Sequence, residues 1–130
     1  MEFESALARP ATLDPRRWSD EAARRLHQVF EAFERHTRQS EGPDGLLEEI
    51  VEIAPRLANA VKRVREEHED LLAEIASLEG ATKDSVEVEH IQHVREEALG
   101  LLRRISAHRQ RGADLIYEAY SVDVEGGETG

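Results

Sequence analysis

The sequence predicts an all-α protein, an antiparallel up-and-down helical bundle with three long helices and one short one. Three observations carry that prediction. Apolar residues recur at alternating steps of three and four along three stretches, the spacing of a buried helical stripe. Between these stretches stand Asp, Pro and Gly where helices start and stop. Strand-like alternation is confined to residues 86–89, too short a run to outweigh the helical period that follows it.

Residues 1–12 read as a loosely held, flexible lead-in, and the bundle proper spans residues 13–120. The first helix starts with Asp14 as N-cap and Pro15 at its first position, where a missing N–H costs nothing. Leu13 is placed to staple onto Trp18. The seam Ala22, Leu26, Val29, Phe33, His36 continues to about Gln39, where Ser40, Glu41, Gly42, Pro43, Asp44 and Gly45 force a turn. Asp44 can cap a short second helix with Leu46, Ile50 and Ile53 on its inner face. Pro55 breaks the chain there and can occupy the first turn of the third helix. That helix carries Leu57, Val61, Val64, His68, Leu71, Ile75 and Leu78 and is expected to stop at Gly80. Asp84 with Glu87 resembles a capping box for the fourth helix. Its seam runs Ile91, Val94, Ala98, Leu101, Ile105, His108, Gly112, Leu115, ending near Tyr120. Residues 121–130 form an acidic, Gly-rich tail that is expected to fray.

The totals bound the function. A chain of 130 residues suffices for one domain with its own core. Zero cysteines exclude disulfides, thiolate metal sites and thiol nucleophiles, and suit the cytoplasm. A net charge of −11 argues against nucleic acid as a partner. No apolar run reaches the roughly 20 residues of a membrane span, so no membrane role is expected. There is no Gly-flanked serine elbow and no phosphate-cradling glycine loop. No catalytic residue is assigned, and the chain is expected not to be an enzyme.

The chemical signal is one histidine on each of three seams. His36, His68 and His108 point inward with their apolar neighbours, and three inward imidazoles can converge on a metal ion. Glu41 closes the first helix and Glu67 precedes His68, although the pair Glu66–Glu67 reads as solvated surface. His90 and His93 lie beside their seam amid acids, and His27 sits at the edge of its own. Helix-length arithmetic opposes convergence. With a turn near residue 82, His68 and His108 stand 14 and 26 residues from it, and miss each other by roughly 18 Å at the helical rise.

These motifs resemble the hemerythrin-like HHE family over residues 25–126. The matching features are His36-x4-Glu41, Gly45-Leu46-Leu47, Ala54-Pro55-Arg56-Leu57, Glu67-His68, the last-helix segment His108 to Gly112, and the closing run from Ala113 to Asp123. The resemblance implies a hemerythrin-like bundle and an iron site with His36, Glu41, His68 and His108 as ligands. A full di-iron centre in that family uses more histidines, the first carboxylate here is displaced by one residue, and Gly112 occupies the last carboxylate position. The expected site is therefore reduced or vestigial, with iron in a mononuclear or incomplete arrangement, and a metal-free bundle stands as an equal reading. The alternative function is an interaction or scaffolding module for a protein partner or a homo-oligomer, displaying Val86, Val88 and Ile91 on an overhanging fourth helix.

Overall fold

Every described segment longer than a turn is helical. The computed structural model describes residues 2–8, 14–42, 45–84 and 87–122. In chain order they form α1 (Glu2–Ala8), α2 (Pro15–Glu41), α3 (Leu46–Ile53), a single 3₁₀ turn (Pro55–Leu57), α4 (Ala58–Lys83) and α5 (Val88–Tyr117). A π turn, Glu118–Val122, continues α5. No strand occurs among the described residues, and no described helix is long and apolar enough to cross a membrane.

α2 starts as its sequence dictates. The Asp14 carboxylate accepts a hydrogen bond from the Arg17 backbone N–H at 3.0 Å, with Pro15 at the first helical position. It ends two residues later than expected, at Glu41, where the Gly42 N–H closes on the Arg38 carbonyl. Gly45 then has to be glycine. A Cβ there would stand 2.5 Å from the Ser40 carbonyl oxygen and 2.8 Å from that of Gly42.

α3 turns a different face inward from the one expected. Leu47 and Ile50 are buried, Leu46 is partly covered, and Ile53 is 37 % exposed. Leu47, Ile50, Ala54 and Leu57 make one stripe that continues through the Pro55 turn and meets Val61, Val64, Leu115 and Ala119. The stripe is chosen by what lies beneath it, and the start of α4 and the end of α5 lie there.

Gly80 does not end α4. The helix runs on to Lys83 because its last turn is held from outside and inside. The Thr82 hydroxyl donates to the Leu78 carbonyl at 2.7 Å, and the Thr82 carbonyl accepts from the buried Ser19 hydroxyl. The expected Asp84–Glu87 capping box does not form. Asp84 closes α4, and Glu87 precedes α5 without a side-chain cap bond.

The loose lead-in is also corrected for residues 2–8. They form α1, whose Phe3, Ala6 and Leu7 are buried. Arg95 Nε donates to the Leu7 carbonyl at 2.9 Å, satisfying one of the acceptors left over at a helix end, and lies over the Trp18 ring. The expected Leu13 staple, the Asp44 cap, Val86 and the tail beyond residue 122 fall outside the described residues. Ile91 is buried, not displayed, whereas Val88 is 62 % exposed.

The long helices pair in order. Contacts between α2 and α4 join Ser19 to Thr82, His27 to Glu79 and Phe33 to His68. Those between α4 and α5 join Ala81 to His90, Glu74 to Arg104 and Glu67 to Arg111. Two apolar clusters result. The larger holds Trp18, Leu26, Phe33, Leu71, Ile75, Ile91 and Leu101 among others, and the smaller gathers α3, the start of α4 and the end of α5. His68 follows Val64 of the smaller cluster and precedes Leu71 of the larger. His108 likewise lies between Ile105 and Leu115. The histidines occupy the layer between two cores.

Candidate metal centre

Three helices each deliver one imidazole to this layer. One nitrogen from each of His36, His68 and His108 can be chosen so that all three lie within 4.8 Å of one another. The ring centroids are 5.2 Å apart for His36 and His68, 5.9 Å for His36 and His108, and 4.7 Å for His68 and His108. Phe33, one turn before His36, packs against all three rings at 5.6 to 5.8 Å. His68 and His108 are almost fully buried, at 1 % and 2 % exposure, while His36 is exposed at the edge.

The predicted 18 Å miss does not occur. α4 runs to Lys83 and α5 starts at Val88, so the chain reverses beyond the expected position near 82. Each residue by which a turn moves lengthens one arm and shortens the other. His68 stands 15 residues before Lys83 and His108 stands 20 after Val88. The remaining mismatch of five residues is about 7 to 8 Å of helix. Side chains tilt toward the start of their helix, so His68 reaches away from the turn and His108 reaches back toward it. The two tilts close the rest.

The ring nitrogens are served unequally. His108 Nδ1 lies 3.0 Å from Glu67 Oε1, and Glu67 is itself paired with Arg111. A carboxylate on Nδ1 fixes the tautomer that leaves Nε2 as a lone-pair donor, the arrangement metal-binding histidines use. Burial works to raise the Glu67 carboxyl, but the hydrogen bonds from Arg111 and His108 outweigh it and hold it below its ordinary value. Neither nitrogen of His68 has a hydrogen-bond partner among the described residues. Glu41 Oε2 approaches His68 Nδ1 only to 3.6 Å, too far for a hydrogen bond. Burial, followed by the neighbouring charges of His108 and His36, pushes His68 down to about 4. Burial also lowers His36, and burial raises Glu41. His68 is thus a neutral base at pH 7, the form a metal takes.

Of the residues expected to form the site, His36, His68 and His108 come together, and Glu41 stays outside that group of donors, 3.6 Å from His68 Nδ1. Glu67, read as solvated surface, is the carboxylate that holds a site histidine. Its signal was its place: the residue before an inward histidine lies on the flank of the stripe, facing the adjacent helix. His27 sits between Glu31 and Glu79, and its ring is raised by the Glu79 hydrogen bond. His90 and His93 do not act as a pair, one meeting the Ala81 carbonyl and the other Glu97.

Gly112, where the resemblance places a carboxylate, does not bring helices into close contact. A Cβ there would meet nothing within 4 Å.

Three nitrogens about 2.1 Å from one ion in tetrahedral geometry lie about 3.4 Å apart. The observed spread therefore has to contract by up to about 1.4 Å, which imidazole rotation supplies most readily at the exposed His36. The donor set is all neutral imidazole, which suits iron, zinc, copper or nickel rather than calcium or magnesium. No family profile, curated protein or solved structure matches this chain.

Proposed function

We propose that this chain is an antiparallel up-and-down bundle of hemerythrin-like type, a cytoplasmic, non-enzymatic domain that binds a single metal ion through His36, His68 and His108. The observation that carries the proposal is His68. An imidazole with both nitrogens buried and unpartnered forfeits about 1 to 3 kcal/mol, and buried polar groups are rarely left so. A metal ion shared with two other imidazoles removes that deficit. Glu67 and Arg111 supply the outer shell for His108, and Glu41 stands beside the uncovered edge of His68. Iron(II) is the first ion to try, since the sequence motifs resemble an iron-binding family and the donors suit it.

The test is anaerobic titration of the chelator-stripped chain with iron(II), and separately with zinc(II) and cobalt(II). One ion per chain is expected, with uptake lost in His68→Ala and in His108→Ala. Absence of stoichiometric uptake of all three ions, or uptake unchanged in both variants, rejects the reading.

A further inference from the structure

Beside the three histidines lies a cavity of about 400 Å³ between α2 and α5. His36 and His108 form part of its lining, next to Phe33. The remaining wall is mostly apolar, with Val29 from α2 and Leu102 and Ile105 from α5, and Phe3 of α1 closes one side. The volume is in the range of small-molecule pockets and exceeds by an order of magnitude the roughly 30 Å³ share of one water. A wall this apolar favours hydrocarbon over a file of waters.

Neither carboxylate nearest the cluster is one of its donor groups. Glu67 is held on Nδ1 of His108 and Glu41 lies by Nδ1 of His68. Three neutral imidazoles leave a divalent ion with its full charge and an open position, and an anion is the complement to that charge in a poorly solvated layer. At the rim stand two cations. Arg25 is engaged by Glu21 and Gln28. Arg109 makes no ion pair with the described residues and is exposed.

We infer that the open position at the three-histidine site is completed by an exogenous monocarboxylate, whose head meets the ion near Arg109 and whose hydrocarbon tail fills the α2–α5 cavity. This rests on the metal reading above. It assigns that site a ligand class, an aliphatic or aromatic monocarboxylic acid of a size that the cavity can enclose.

The experiment uses the cobalt(II)-loaded chain, titrated with acetate, butyrate, hexanoate and octanoate and followed by calorimetry and by the visible spectrum of the ion. Each added CH₂ is expected to tighten binding about fourfold, the equivalent of about 0.8 kcal/mol, until the cavity is full. Arg109→Gln weakens every member by a common factor of about three. Ala32→Phe adds bulk from an exposed lining position. It is expected to keep cobalt stoichiometry while flattening the dependence on chain length. Leu102→Trp, from the opposite wall, serves as the second filling variant and does the same.

Cobalt uptake with equal affinity for acetate and octanoate overturns the inference and leaves the metal reading standing. So does a length dependence that survives both filling variants, or equal octanoate affinity in the chelated chain, which would make the tail cavity independent of the ion. Failure to take up any of cobalt(II), iron(II) and zinc(II) overturns both.

Discussion

The layer around Ile75 and the layer around His68 follow the same spacing and carry opposite chemistry. In the first, Leu26, Ile75 and Leu101 fill the space between α2, α4 and α5. In the second, two turns along α4, the same three helices present His36, His68 and His108 under the face of Phe33. The apolar layer gains from burial alone, because the hydrophobic effect asks for no particular partner. The imidazole layer loses from burial until each nitrogen finds one. His108 has Glu67, and His68 has no hydrogen bond among the described residues. Helical period reports which way a side chain points. Whether pointing there stabilises the fold depends on what it meets.

The sharpest way to separate the two layers is to truncate one of them. Ile75→Ala leaves a cavity in the middle of the larger cluster and is expected to cost about 3 kcal/mol. Urea denaturation of the metal-free chain checks this. A loss below about 1 kcal/mol would mean that the layer is loosely packed.

His68→Leu should act in the opposite direction on the metal-free chain. Unfolded, His68 takes up its proton near pH 6.5, but folded only near 4. The unfolded state therefore binds more protons throughout that window, and the wild-type chain loses stability as pH falls through it. The span corresponds to about 3 kcal/mol at most. The leucine variant removes this slope and should melt higher than wild type, by a margin that widens on acidification. Parallel melting curves from pH 7 to 4 would show that His68 titrates normally. That would contradict its burial.

Glu67→Gln probes the layer without removing a ligand. The amide keeps the shape but loses the charge that orients His108 and steadies Arg111. A reduction of about 10- to 100-fold in metal affinity is expected, the usual consequence of weakening the partner of a ligating histidine. Undiminished affinity would remove Glu67 from the site.

Gly80→Ala is the mildest test, directed at the helix that carries both layers. Gly80 lies inside α4, and a Cβ there meets nothing within 4 Å. The substitution should stabilise the chain by about 1 kcal/mol in thermal unfolding. A destabilising result would mean that α4 does not continue past residue 80.

Much of this was legible before any coordinates. Asp14 and Pro15 mark the start of α2 because capping needs only neighbours in sequence. The seams of α4 and α5 are buried as their spacing implies, from Val61 to Leu78 and from Ile91 to Leu115. The failures occurred where distant residues hold a local feature. Thr82 carries α4 past Gly80 because Ser19 reaches its carbonyl. Phe3 and Leu7 order the start of the chain because α2 and Arg95 are there to receive them. Ile53 faces outward because the adjoining core accepts Leu47 and Ile50 in its place.

By itself the sequence determined that this chain is helical and which side of each long helix faces inward, since both follow from contacts a few residues apart repeated at a fixed pitch. Only the tertiary structure decided the depth at which those sides meet. A shift of a few residues in the turn between α4 and α5, with the opposed tilt of their side chains, is the difference between histidines a helix-length apart and rings 4.7 Å from centre to centre. That register belongs to the packing of whole helices, and no local pattern encodes it.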